Sequence, residues 1–558
     1  MNKYRYKINN LDCANCARKI EDSLNKNKDF KNVKVNFNTM MISYETEKNI
    51  SISGVNKLIK KIEPEAYISE NEENVKKEYH LSILIIALVI GLFGFYLNIS
   101  KPIKLILLII SYILLLYKVF INAFKMIKNG GGINENALIL ISCVGAFVLG
   151  EAMEGMMVIV LYTIGKILEE KALNNSRKSI KDLMNIKSIY ANKQEKDKVK
   201  TINVEDVKVG DVLVVRKGEK IPVDGTIING KTYLDTSALT GESENILVKN
   251  GDKVLSGSIN NSDIITIKAT STFEDSTVSK ILELLDTATD KKAKTETTIS
   301  KISKVYTPII LILALIVAIF LPLISNVTYS QSIYRALTFL VISCPCAIAI
   351  SVPLSYFTGI GAASKNGILI KGSNFLDNLQ NTTGIIFDKT GTLTSGTFTV
   401  TDIIIKKEHA LKIGEKLGID EIYYEMLPHE KFTKYEEVKK NEKTLVFVGD
   451  GVNDAPTLKR ADIGISMGGV GTDSAIEASD IVLMSDDLMK IPLAINISKY
   501  TKYIIKENLI FAMGIKILIL LLSIFGYANM WFAVFADTGV TLLTILNTLR
   551  ILRKYRKR

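Results

Sequence analysis

An aspartate at the end of a short apolar run is the first residue of this sequence with an evident chemical use. Asp388 follows Gly384-Ile385-Ile386-Phe387 and opens Asp388-Lys389-Thr390-Gly391-Thr392-Leu393-Thr394. The run predicts a buried strand, and α/β sheets bind ligands at the carboxyl ends of parallel strands. A carboxylate in that position can act as a nucleophile and take a phosphoryl group as an aspartyl-phosphate. A second strand, 444–448, leads into Gly449-Asp450-Gly451-Val452-Asn453-Asp454-Ala455-Pro456. Asp450 and Asp454, with Asp388 and Thr390, suit Mg2+, which takes one or two carboxylates plus phosphate oxygens. Lys431 is placed to offset charge on the phosphoryl group.

A second group of residues suits a soft metal ion. Ser343-Cys344-Pro345-Cys346 lies in the middle of an apolar stretch. Proline there frees a backbone carbonyl and unwinds a helix locally, while two thiolates offer ligands for Cu(I), Zn or Cd. Asp537 stands in the last apolar stretch, within Phe535-Ala536-Asp537-Thr538-Gly539. A carboxylate inside a membrane is costly unless it has a function. Two thiolates and a carboxylate suit a divalent, borderline-soft ion better than Cu(I), which stays the alternative substrate. Lys516, also in mid-stretch, is a built-in counter-charge that displaces the ion on release. Near the start, Cys13 and Cys16 have the spacing of a metal-binding pair, and Asp12 beside them again favours a divalent ion. The remaining cysteine, Cys143, reads as packing. Two close pairs and a singleton do not make a disulfide framework, so the thiols are expected to be reduced.

These residues need a particular set of elements to hold them. Hydrophobic residues make up 47% of the 558-residue chain although 23% are charged, which reconciles only if the apolar residues are gathered in blocks. Blocks near 81–98, 103–124, 136–171 (two helices, split around Gly150), 304–325, 333–355, 505–527 and 529–551 predict eight membrane spans. An even number puts both termini on one side, with the long loops 172–303 and 356–504. Their lysines make that side cytoplasmic. The net charge of +12 is spread over the linkers rather than along one stripe, which argues against a nucleic-acid partner. Residues Met1–Asn10 are polar and show no apolar core of a signal peptide. A βαββα pattern fills the first 70 residues. The loop from about 199 to 270 is β-rich, and the second long loop alternates strands with helices as an α/β sheet does.

Together the motifs resemble those of P-type ATPases, over nearly the whole chain. Asp388–Thr394 looks like the phosphorylation motif and Gly449–Pro456 like the hinge motif. Thr240-Gly241-Glu242-Ser243 matches the actuator-loop motif, in which Glu242 would position the water that hydrolyses the aspartyl-phosphate. The Cys-Pro-Cys segment resembles the transport site of the heavy-metal branch, and Lys516 with Asp537 looks like the zinc/cadmium/lead subgroup. The Tyr-Asn pair and Met-Ser cluster of the copper pumps are absent. Leu11–Cys16 resembles the heavy-metal-associated domain. The nearest family positions imply ion uptake for Glu135 and an exit path for Glu154.

The resemblance implies a polytopic α-helical membrane protein with three cytoplasmic parts. These are a ferredoxin-like heavy-metal-associated domain (1–70), a β-rich actuator domain (172–303) and a haloacid-dehalogenase-like phosphorylation domain (358–504). Membrane helices occupy 80–171, 304–357 and 505–552. It implies ATP as substrate, Mg2+ as cofactor, Zn2+, Cd2+ or Pb2+ as cargo, membrane lipid as surroundings and a cytosolic metal donor as partner. One departure is large. Only residues 395–448 separate the phosphorylation and hinge motifs, where the family inserts its nucleotide-binding domain. The adenine-site motif, Gly-rich loop and Thr-Gly-Asp of that region are absent. Two functions follow as expectations: an ATP-driven exporter through aspartyl-phosphate chemistry, or a deleted homologue that binds metal without pumping. A soluble phosphatase is excluded by the apolar blocks.

Overall fold

The computed structural model describes residues 2–11, 14–37, 39–47, 50–63, 66–69, 81–97, 100–128, 135–183, 188–195, 198–240, 245–288, 293–342, 346–388, 420–423, 428–450, 454–467 and 477–555. They divide into two compact units. One comprises Met1–Ser179, Lys294–Phe357 and Tyr503–Arg550, and the other Ile180–Ala293, Thr358–Lys502 and Ile551–Arg558.

The first unit opens with β1 (Asn2–Asn9), α1 (Ala14–Asn25), β2 (Lys31–Asn36), β3 (Met41–Thr46), α2 (Ile52–Ile62) and β4 (Tyr67–Ser69). The sheet order is β2-β3-β1-β4, and β1 runs antiparallel to both neighbours. Alternation decides which face is covered. Tyr4 opposes Tyr44 and Tyr6 opposes Ile42, so these side chains share one face with buried Ile8. Ile20, Leu24, Val55 and Ile59 of the two helices join the same core. The three-residue β4 adds an edge strand to the βαββα pattern read from sequence. It is too short to show periodicity.

Apolar helices follow: α3 (Leu81–Tyr96), α4 (Lys101–Lys128), α5 (Glu135–Val148) and α6 (Ala152–Leu183). Among the described residues, four segments are long and apolar enough to cross a membrane: Lys101–Phe124, Tyr329–Lys365, Lys490–Ile524 and Met530–Lys554. Ser82–Tyr96, Asn136–Val148 and Pro308–Ile324 are shorter apolar helices. The turn between α5 and α6 is a tight one. Gly150 adopts φ +90°, and the amides of Gly150 and Glu151 return to the carbonyls of Phe147 and Ala146. Helix α6 continues to Leu183, past the predicted end of its span at 171, because helix propagation needs only backbone pairing and not an apolar side chain.

The second unit holds two sheet systems. The strands β5 (Tyr190–Glu195), β6 (Lys198–Asn203), β7 (Val212–Val215), β8 (Gly225–Asn229), β9 (Thr232–Asp235), β10 (Asn245–Val248), β11 (Lys253–Val254), β12 (Ile259–Asn260) and β13 (Ile265–Ala269) form two sheets. Their orders are β11-β8-β13-β7-β5-β6 and β10-β9-β12. Helix α7 (Ser237–Thr240) precedes β10, and α8 (Thr277–Ala288) closes this part. Asp224 ties it together, accepting from the amides of Ser256 at 2.7 Å and Thr277 at 2.8 Å and from the Thr277 hydroxyl at 3.0 Å.

After α9 (Lys294–Ile324), α10 (Tyr329–Ile342) and α11 (Cys346–Lys365), the chain builds the second sheet system. It comprises β14 (Ile368–Ile370), α12 (Ser373–Leu379), β15 (Gly384–Phe387), α13 (Pro428–Lys439), β16 (Leu445–Gly449), α14 (Ala455–Arg460), β17 (Ile463–Ser466) and β18 (Ile481–Leu483). The order is β14-β18-β17-β16-β15, parallel from β15 to β18 and antiparallel at β14. Strands β16, β17 and β18 are buried at every position, as parallel strands covered on both faces should be. The chain then forms α15 (Lys490–Ile524), α16 (Met530–Thr548) and the short α17 (Arg550–Lys554).

Candidate functional site

Asp388 stands directly beyond β15, at its carboxyl end. Its amide donates to the Val448 carbonyl at 2.8 Å, which prolongs the β15–β16 ladder and fixes the residue beside the end of β16. From α13, the Lys431 ammonium donates to Asp388 Oδ1 at 2.6 Å and to Asp454 Oδ1 at 2.9 Å. One cation therefore bridges a carboxylate from each of the two motifs, 66 positions apart in sequence at Asp388 and Asp454. Burial works against the Lys431 charge, but its hydrogen bonds to Asp388 and Asp454 outweigh it and raise the lysine pKa. Burial also raises the Asp454 pKa, with the Asp388 charge adding to it and Lys431 opposing it.

The second oxygen of Asp454, Oδ2, is buried and has no hydrogen-bond partner among the described residues. Gly449 leaves room for it, since a Cβ there would lie 3.2 Å from that oxygen. No three His, Cys, Asp or Glu side chains converge on a single point among the described residues. Mg2+ does not need three, because it commonly uses one or two carboxylates and completes its shell with phosphate oxygens and water. A buried, unpartnered carboxylate oxygen beside Asp388 fits that demand, and Asp450 follows β16 on the same edge. Thr390 lies outside the described residues, as does Glu242. The described chain reaches Thr240 at the end of α7 and resumes at Asn245 with β10.

The first unit contains a second charged centre. Lys516 of α15 is 3% exposed, and its ammonium donates to Asp537 Oδ1 of α16 at 2.5 Å and to the Ile342 carbonyl at 3.2 Å. Ile342 is the last residue of α10, where the helix dipole presents partial negative charge. Lys516 thus answers two negative groups at once, which explains how a lysine is tolerated among apolar helices. Cys346 opens α11 on the far side of the Cys-Pro-Cys segment, while Ser343, Cys344 and Pro345 lie outside the described residues. The predicted unwinding therefore falls there too. Asp537 lines a cavity together with Thr538, Thr541, Tyr162, Lys166 and Glu169.

Glu169 is 6% exposed and lies 3.8 Å from Lys166, one turn back on α6. Neither was singled out in the sequence. The available signal was a carboxylate continuing the register of an apolar helix, masked by the adjacent Glu170 and Lys171 that made the region look like a solvated end. Glu154 is in the first turn of α6 and accepts a hydrogen bond from Tyr334 of α10. Glu135 begins α5. At the other end of the chain, Cys16 is half-buried in the first turn of α1, whereas Asp12 and Cys13 lie outside the described residues. Cys143 is fully buried in the helix core, as a packing residue would be.

Comparison with known proteins shows what the chain resembles. The heavy-metal-associated domain family matches residues 5–67, and the P-type ATPase actuator domain matches residues 185–286. A cadmium, zinc and cobalt-transporting ATPase of Bacillus subtilis is 35% identical, over 99% of this chain and 99% of its own length. Its Helicobacter pylori namesake is 32% identical, over 98% and 99%. A zinc-transporting PIB-type ATPase of known structure aligns at 26% identity over 86% of this chain and all of its own, with a TM-score of 0.43, too low to carry weight. The Bacillus alignment extends over 696 positions against the 558 residues here, so a sizeable block of that relative has no counterpart in this chain. At 35% identity across nearly the full length of both proteins, the chain belongs to the heavy-metal-transporting P-type ATPases.

Proposed function

We propose that this chain is built to export a divalent transition-metal ion, zinc or cadmium by the names of its relatives, with aspartyl-phosphate chemistry at Asp388 as the motor. The observation that carries this reading is the Lys516–Asp537 pair inside the apolar helices, directly beside the end of the helix that leads into Cys344 and Cys346. An ion held by the two thiolates and Asp537 must compete with the Lys516 ammonium for the same carboxylate. A hard oxygen in the set excludes a purely soft Cu(I) preference. Eight spans, with the termini and both long loops on the cytoplasmic side, complete this reading. Glu154, in the first turn of α6, serves release, and Glu135, at the start of α5, serves uptake. Cys13, Cys16 and Asp12 of the N-terminal domain accept the ion from a cytosolic donor.

In the motor, Lys431 orients Asp388 and would neutralise a transferred phosphoryl group, while Asp454 and Asp450 would hold Mg2+. Bound Mg2+ supplies charge neutralisation at the phosphoryl oxygens. Glu242 would position the hydrolytic water. What the chain lacks is a means of holding adenine, because residues 395–448 are too few for the family's nucleotide-binding domain. Phosphoryl transfer depends on positioning, so loss of that domain removes most of the rate. The surplus positions of the Bacillus relative favour a second reading, in which the transport site binds metal without being pumped.

The test is Zn2+- or Cd2+-stimulated labelling of Asp388 from γ-labelled ATP, with Asp388→Asn as control. Acid-stable, hydroxylamine-labile label supports the working pump. Its absence, with metal still bound in a manner that Asp537→Asn abolishes, supports the transport site without a motor.

A further inference from the structure

Two neighbouring side chains of α10 hold the connection between α15 and α16. Arg335 Nη1 donates to the carbonyl of Ile524, the last residue of α15, at 2.5 Å. The Tyr334 hydroxyl accepts the amide of Met530, the first residue of α16, at 3.3 Å, and donates its single proton to Glu154 Oε2 of α6. A helix cannot pair its own last carbonyls or first amides. Arg335 and Tyr334 supply those missing partners at the two ends of one connection. Asn529 caps the same turn, its side chain accepting from the Phe532 amide at 3.2 Å. Because α15 carries Lys516 and α16 carries Asp537, this latch sits at the ends of the two helices that form the transport pair.

The hydroxyl works in both directions, giving its single proton to Glu154 and accepting the Met530 amide. An ion that takes Glu154 Oε2 as a ligand breaks the first bond, and breaking it loosens the tie to α16. We propose that Tyr334 is a positioning residue of the ion-release path, holding the Glu154 carboxylate against the amino end of α16 and so keeping that end of the path closed. The proposal rests on Glu154 serving release, as above. Among the described residues Tyr334 makes no hydrogen bond to Asp537, and it acts through Glu154. Replacing it with phenylalanine keeps the ring and its packing and removes both bonds.

The experiment uses the full chain in detergent, loaded with Zn2+, and follows transfer of Zn2+ to a chelating dye alongside equilibrium Zn2+ affinity. The variants are Tyr334→Phe, Glu154→Gln and the two combined. Tyr334→Phe is expected to speed release on the order of ten-fold, the scale of a hydrogen bond to a charged group. Affinity should hold, because an opened gate speeds uptake and release alike, whereas a loosened site would lose affinity in step with the rate. With Glu154→Gln in place, Tyr334→Phe should add nothing. Unchanged release, a matching loss of affinity, or full additivity with Glu154→Gln would each overturn the latch while leaving the transport reading intact. If the parent chain binds no Zn2+ that Asp537→Asn removes, the transport reading falls and the latch falls with it.

Discussion

Replacing Lys431 with methionine probes the motor site most directly, because it keeps the side-chain length and deletes only the charge. Two carboxylates would then face each other without a cation. The Asp454 side chain is 1% exposed and that of Asp388 13%, so water cannot substitute for the lost ammonium. Removing one partner of a buried ion pair costs about 3–5 kcal/mol. Lys431 is itself 23% exposed, and Asp454 can respond by taking a proton, so the cost falls to the bottom of that range or just under it, about 2–3 kcal/mol.

The proton response makes the prediction pH-dependent. Asp454 has a raised folded pKa, so its contribution is full below the unfolded value near 4 and is lost as pH climbs through the folded value. Without Lys431 to oppose the rise, that loss is larger. The gap between parent and variant should be small near pH 4 and complete by pH 7. Lys431 has the same sign, since its pKa is raised as well: its contribution persists below about 10.4 and disappears in more alkaline solution, in the parent alone. Amide hydrogen exchange of Leu445–Gly449 in the full chain reads the local stability. Comparing parent and variant at the same pH cancels the intrinsic exchange rates. Equal protection at pH 7, or an equal gap at pH 4 and pH 7, would refute the bridging role assigned to Lys431.

Three further outcomes are expected. Asp224→Ala removes the acceptor of two amides and a hydroxyl in the actuator domain and should cost about 2–4 kcal/mol, seen as early proteolysis between 225 and 288 with the apolar helices intact. Gly165→Leu should lower the yield of folded protein and abolish Zn2+ binding, since even a Cβ at that position would lie 2.6 Å from Thr538 Oγ1, the neighbour of Asp537. A normal yield with normal metal binding would show that α6 and α16 are not tightly packed there. Lys516→Met should tighten Zn2+ binding roughly ten-fold in dye competition, because the ion no longer displaces an ammonium from Asp537, and unchanged affinity would remove Lys516 from the transport site.

The chemistry of this protein was readable residue by residue. Asp388 after an apolar strand, Asp450 and Asp454 in the segment after a second strand, Asp537 and Lys516 inside apolar stretches each announced themselves, because a charged side chain in such a place is costly unless something answers it. The helix positions followed from apolar runs, and the split at Gly150 from the backbone freedom of glycine. What the chain could not spell out was which charge answers which. Lys431 was placed near the phosphoryl site by sequence, but its bridge from Asp388 to Asp454 depends on β15 and β16 lying side by side in parallel. Strand pairing is a long-range choice that local pattern does not encode. The short strands β4, β14 and β17 were missed for the same reason.

The tertiary structure alone brought Tyr334 and Arg335 to the ends of α15 and α16, nearly 190 residues further along the chain. Read locally, both are ordinary polar residues in an apolar helix. Glu169 likewise looked like part of a solvated helix end until folding set it in the cavity with Asp537. Sequence determined the reactive groups, because side-chain chemistry is local. Folding decided their partners, because a buried charge is satisfied by whatever the packed chain brings within a few ångströms of it.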